Sequence, residues 1–133
     1  MGDELLETGR EIQQRLWPQM RAGGGRFPAA ALAPDFFRYV AESAFGMIWS
    51  RPGLPIRDRS LVTVAQLAAL GRTDELRAHL AGALNVGLTR DELIEVLMHT
   101  AIYAGVPAAN EALRVAADVM DDEGGDEGSD GDA

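Results

Sequence analysis

Apolar residues recur every three or four positions along most of the chain, and no stretch shows the apolar–polar alternation of a half-buried strand. This periodicity predicts six helical segments. From Asp3 to about Met20, Leu5, Leu6, Ile12, Leu16 and Met20 follow a loose helical spacing that Pro18 interrupts. Arg21 to Ala33 carries Gly23-Gly24-Gly25 and then Phe27-Pro28, the pattern of a flexible connector or lid. Pro34 suits a first helical turn, where its missing N–H is no loss, and Phe37, Val40, Ala41, Ala44, Phe45 and Ile48 continue one apolar face to Trp49. Arg51-Pro52-Gly53-Leu54-Pro55 cannot extend that helix.

Arg57 to Leu70 is apolar nearly all round, which predicts a central buried helix ended by Gly71. Thr73 is expected to cap a helix reaching Val86, stopped by Gly87. Thr89 with Glu92 three residues on forms a capping box for a helix that runs to Gly105. Pro107 opens the last helix, to about Met120. Short helices on brief links imply an all-α fold, an antiparallel bundle of about six helices spanning residues 1–120.

Composition narrows the chemistry. The 133 residues include no cysteine, so disulfides, thiolate nucleophiles and dithiol redox steps are excluded. All 12 basic residues are arginine, so Schiff-base and phosphate-loop lysines are excluded too. The net charge of −9 is largely local: residues 121–133 hold seven acids and no base, leaving 14 acids against 12 arginines elsewhere. A chain so nearly neutral outside its tail offers no field for nucleic acid. The tail itself cannot bury apolar surface, and disorder is expected there. No apolar run is long enough to span a membrane, and the acidic start lacks the order of a signal peptide, so a cytoplasmic location is expected.

Three groups of residues could carry chemistry. Glu75 and His79 lie four apart on one helical face, where a carboxylate can orient an imidazole and raise its basicity. The plainer alternative is a dipole-complementing Glu75 beside an exposed His79. His99 and Tyr103 repeat the spacing in a more apolar setting, where His99 reads equally as a core histidine bonded to a carbonyl. Two histidines without a third ligand make no convincing zinc site, so no metal is expected. Arg51, Arg57 and Arg59 follow Trp49 closely. They could grip an anionic substrate or lie on the surface, Arg57 or Arg59 paired with Asp58. Trp49 is more often a core residue than a substrate platform. No dinucleotide, nucleophile-elbow, phosphate-loop or zinc-protease motif is present.

Several strings carry a specific resemblance. Phe45-Gly46-Met47-Ile48-Trp49-Ser50-Arg51-Pro52-Gly53-Leu54, Arg59-Ser60-Leu61-Val62-Thr63, Leu70-Gly71-Arg72-Thr73-Asp74-Glu75-Leu76-Arg77-Ala78-His79, Asn85-Val86-Gly87-Leu88-Thr89-Arg90-Asp91-Glu92 and Tyr103 to Ala112 resemble, in order, the carboxymuconolactone decarboxylase family. The match covers about residues 34–117. It implies the helical fold shared with AhpD-like alkylhydroperoxidases and a ring-shaped homo-oligomer, a hexamer or a trimer. The peroxidase branch uses a Cys-x-x-Cys pair followed by histidine. His79 matches that histidine, whereas Arg72 and Glu75 stand where the cysteines would be. Many relatives carry glutamate after the arginine matched by Arg59. Here Ser60 stands in its place, which shifts weight to Glu75.

The implied reaction is decarboxylation of γ-carboxymuconolactone to the β-ketoadipate enol-lactone, with no cofactor, because the lactone carbonyl accepts the electrons released with CO2. The implied roles are His79 and Glu75 for the proton and Arg59, with Arg51, for a carboxylate. Trp49, Ser60, His99 and Tyr103 are expected around the substrate. The alternatives are a related decarboxylase or isomerase of another small carboxylated lactone, and a non-catalytic oligomeric helical module.

Overall fold

Pro18 decides where the first helix ends. In the computed structural model, which describes residues 2–19 and 29–123, α1 spans Gly2–Leu16 and stops before Met20. The residue before a proline is disfavoured in the α region, so Trp17 leaves the helix after its N–H donates to the Gln13 carbonyl at 2.7 Å. Residues 20–28, most of the expected connector, lie outside the described residues. Its last part is not a loop: Ala29–Leu32 forms the single turn α2.

α3 spans Pro34–Val40, with Pro34 in its first turn as expected. The winding then widens, and Ala41–Trp49 is a π-helical segment. The 3.6-residue pattern gave no sign of this change. Two glycines show what the segment accommodates. A Cβ on Gly9 of α1 would run into the Ala41 carbonyl and come within 3.1 Å of the Gly46 nitrogen, and a Cβ on Gly46 would strike the Leu5 carbonyl. The backbones of α1 and the π-helical segment therefore touch where side chains would hold them apart. Ser43 and Ser50 donate their hydroxyls to the Tyr39 and Gly46 carbonyls, at 2.7 and 2.5 Å, bonds of the kind that bend helices.

The remaining helices are α4 (Ile56–Leu70), α5 (Thr73–Asn85), α6 (Arg90–Ala104) and α7 (Val106–Glu123). Among the described residues there is no strand, so the expected all-α class holds. The chain divides within α4 into two compact units, Met1–Arg59 and Ser60–Ala133. Gly71 and Gly87 take positive φ, 72° and 107°, and each closes its helix with a pair of reversed bonds. Gly71 and Arg72 donate to Ala68 and Leu67, and Gly87 and Leu88 donate to Leu84 and Ala83. The Thr89–Glu92 capping box is present as expected. Thr73 is not a cap: it is the first residue of α5, and Arg72 in the cap position makes no side-chain bond.

The second unit has its own core. Val64 and Ala68 of α4, Leu76 and Leu80 of α5, Leu93 and Leu97 of α6, and Ala112, Val115 and Val119 of α7 are buried together. α7 runs on to Glu123, so Asp121, Asp122 and Glu123 of the expected tail are helical, while residues 124–133 lie outside the described residues. The expectation for α4 is corrected. Ser60, Val64 and Ala68 are buried, yet Val62, Ala69 and Leu70 are exposed. The second apolar side of α4 finds no cover within the unit. No helix among the described residues is long and apolar enough to cross a membrane.

Candidate functional site

In the first unit, Trp49 ends the π-helical segment and is buried, with its ring 5.4 Å from Phe45, which in turn meets Trp17 edge-on at 5.9 Å. This burial suits the core reading of Trp49. The segment that follows is exposed and includes Arg51. Arg59, half-buried one turn into α4, donates from Nη2 to the Arg51 carbonyl at 3.1 Å. The two arginines expected to share an anion are thus linked through backbone, which pins Arg51 beside the Arg59 guanidinium. Arg57 forms a long surface pair with Asp58 at 3.8 Å.

In the second unit, Ser60 is fully buried, and its hydroxyl has no hydrogen-bond partner among the described residues. A hydroxyl left in that state costs about 1–3 kcal/mol. Glu75 lies in the first turn of α5 and is exposed. His79, one turn on, is mostly buried, with Nδ1 wholly inside. Burial pushes its pKa down from 6.5 to about 4, and desolvation is the cause. The expected effect of Glu75, a raised basicity, is not what the structure shows: the folded chain holds His79 as a neutral imidazole at pH 7. The spacing was right about the shared helix. It could not show that Glu75 faces solvent while His79 turns inward.

His99 and Tyr103 stack on each other, rings 5.4 Å apart and 30° from parallel, on an exposed face of α6. His99 is therefore not the core histidine that its neighbours suggested. The pair walls an open apolar groove of about 480 Å³ between α4 and α6. Leu61, Ala65 and Ala69 line it from α4, and Glu95, Val96, Thr100 and Ala104 from α6. Neither His79 nor Glu75 is among its lining residues, and its only charged member is Glu95, an acid. Sequence reasoning passed over Glu95, although it stands four residues before His99 just as His99 stands four before Tyr103. Among the described residues no three histidine or carboxylate side chains converge on a metal site.

Known proteins resemble this chain in sequence. The model of the carboxymuconolactone decarboxylase family matches residues 34–118. A 4-carboxymuconolactone decarboxylase of Acinetobacter baylyi is 52% identical over 90 residues, covering 68% of this chain and 67% of the relative. A nitrosuccinic acid decarboxylase of Metarhizium robertsii is 37% identical over 83 residues, covering 62% and 58%. An uncharacterised 15.0 kDa protein of Paracoccus denitrificans is 28% identical over 122 residues, covering 90% of each chain. The aligned span takes in the π-helical segment, Arg59, Ser60 and His79, and on this match the chain belongs to the carboxymuconolactone decarboxylase family.

Proposed function

We propose that the protein is a carboxy-lyase that converts γ-carboxymuconolactone to the β-ketoadipate enol-lactone during aromatic breakdown in the cytoplasm, as a homo-oligomer and without a cofactor. The observation that carries this reading is the 52% identity to a relative named for that decarboxylation. The cleaved C–C bond leaves its electron pair on the γ carbon. The pair moves through the ring alkene into the lactone carbonyl, CO2 departs, and the enolate collapses as a proton reaches the α carbon. The site has to hold an anion, keep water out and place one proton.

Arg59, with Arg51 beside it, holds a substrate carboxylate by paired N–H donors. Trp49 and the buried Ser60 hydroxyl shape the surroundings of the ring. His79 delivers the proton, and its low pKa sets the order of events. At pH 6 the free imidazole, with a pKa of about 4, carries a proton in about 1% of molecules. A carboxylate brought beside it favours the imidazolium, so the substrate's charge loads the acid that later protonates its carbon. Binding of an unreactive dicarboxylate analogue at pH 6 is expected to take up about one proton per site, measured by calorimetry in buffers of different ionisation enthalpy. Binding without proton uptake would leave His79 a neutral hydrogen-bond donor.

A second reading is supported by one observation, the nitrosuccinic acid decarboxylase among the relatives. On that reading the same residues decarboxylate another small acid. Parallel assays of CO2 release from γ-carboxymuconolactone and from nitrosuccinate separate the two by their kcat/KM.

A further inference from the structure

In the first unit, the backbone of Gly46 meets three neighbours. Its α carbon stands against the Leu5 carbonyl of α1, so close that a Cβ there would collide with it. Its nitrogen lies in the turn that begins at Ala41, and Gly9 of α1 sits on that turn. A Cβ on Gly9 would meet the Ala41 carbonyl and come within 3.1 Å of the Gly46 nitrogen. The Gly46 carbonyl accepts from the Ser50 hydroxyl at 2.5 Å. One turn of α1, Leu5 to Gly9, is therefore seated backbone to backbone on one turn of the π-helical segment, Ala41 to Gly46.

The chain leaves the segment just past that seat. A π-helix sends each N–H to the carbonyl five residues back, and an α-helix sends it four back. For Arg51 those carbonyls belong to Gly46 and Met47. Its N–H goes instead to Ile48, three back, at 3.1 Å, while the Ser50 hydroxyl takes the Gly46 carbonyl. The helix tightens in its last turn and releases the chain at Arg51. Arg51 then offers its own carbonyl to Arg59 Nη2 at 3.1 Å. Contacts run residue to residue from α1, through Gly46 and Ser50, to the two arginines.

We propose that Gly9 and Ser50 are positioning residues for carboxylate binding. The seat at Gly9 fixes the Gly46 backbone, the Ser50 hydroxyl ties the helix exit to it, and the exit presents Arg51 beside Arg59. This role rests on the reading of Arg51 and Arg59 as the grip on the substrate carboxylate, and it adds the part that aims the grip. Paired N–H donors meet a carboxylate in one geometry only, so a small turn of the exit loses a bond without removing a charge. Ser43 supplies an internal control. It makes the same kind of bond, to the Tyr39 carbonyl at 2.7 Å, but well before the exit.

The test is the Kd of an unreactive dicarboxylate analogue by calorimetry, together with kcat and KM for γ-carboxymuconolactone. The full chain is compared with Ser50→Ala, Ser50→Thr, Gly9→Ala and Ser43→Ala, each checked for fold by circular dichroism. Ser50 is exposed, so Ser50→Ala gives a reading even where Gly9→Ala fails to fold. The expected result is a Kd and KM raised roughly three- to tenfold by Ser50→Ala and by Gly9→Ala, the worth of about one hydrogen bond, with kcat held within about twofold. Ser50→Thr, which keeps the hydroxyl, and Ser43→Ala should bind as the wild type does. A Ser50→Ala variant that binds as tightly as a binding-competent wild type overturns the positioning role and leaves the arginine grip standing. Equal weakening by Ser43→Ala, or a loss confined to kcat, overturns it too. A wild type that neither binds the analogue nor releases CO2 overturns the grip itself, and the positioning role with it.

Discussion

His79 concentrates the argument at the scale of single residues. Its distance from Glu75 was legible in the sequence, but its burial was not, because a four-residue spacing says that two side chains share a face and not which way that face turns. The consequence is measurable in stability. The unfolded imidazole binds a proton below about pH 6.5, whereas the folded one stays neutral to about pH 4. Unfolding therefore takes up a proton in that window, and stability falls as the pH drops through it, by up to about 3 kcal/mol. In urea titrations at pH 7 and pH 4.5, His79→Gln should lose less stability on acidification than the wild type, the difference being this one group. Equal losses would show that His79 is not buried as a neutral ring. Arg59→Met should raise KM for an anionic lactone well beyond its effect on kcat, because it removes the bidentate grip and not the proton donor. A fall confined to kcat would take Arg59 out of substrate binding.

Elements were read best where local chemistry alone fixes them. The Thr89–Glu92 box, the reversals at Gly71 and Gly87 and the start at Pro34 each depend on a few adjacent residues, and the structure has all of them. The π-helical winding of Ala41–Trp49 escaped, because a 3.6-residue pattern carries no sign of it, nor of the close backbone approach of α1, more than thirty residues away, at Gly9 and Gly46. Gly9→Ala tests that contact. In an isolated helix the change would gain up to about 1 kcal/mol of propensity. Here the new methyl meets the Ala41 carbonyl, and overpacking of this kind costs roughly 1–3 kcal/mol. The expected outcome is a net loss of stability, seen as a lower urea midpoint, and a gain would show that the two backbones stand apart. Thr89→Ala should cost about 1 kcal/mol, the loss of one half of the capping box.

For the molecule as a whole, fold class and family were written in the sequence, since helical periodicity without alternation fixes the first and several uncommon collinear strings fix the second. The bare sides of α4 and α6 were not, because an apolar pattern says that a surface is covered and not by what. His99 and Tyr103 line an exposed groove whose lining does not include His79, which a four-residue spacing cannot reveal. The proposed enzyme uses a histidine that is buried and neutral before substrate binds, and the substrate's own electron sink. Its most direct test is CO2 release from γ-carboxymuconolactone in the presence of EDTA, for the wild type and for His79→Gln. The account predicts one CO2 per lactone from the wild type, undiminished by the chelator, and turnover lowered by a factor on the order of 10²–10⁴ in the variant, whose fold by circular dichroism is unchanged. A wild type that releases no CO2, or a variant that turns over at the wild-type rate, would contradict it.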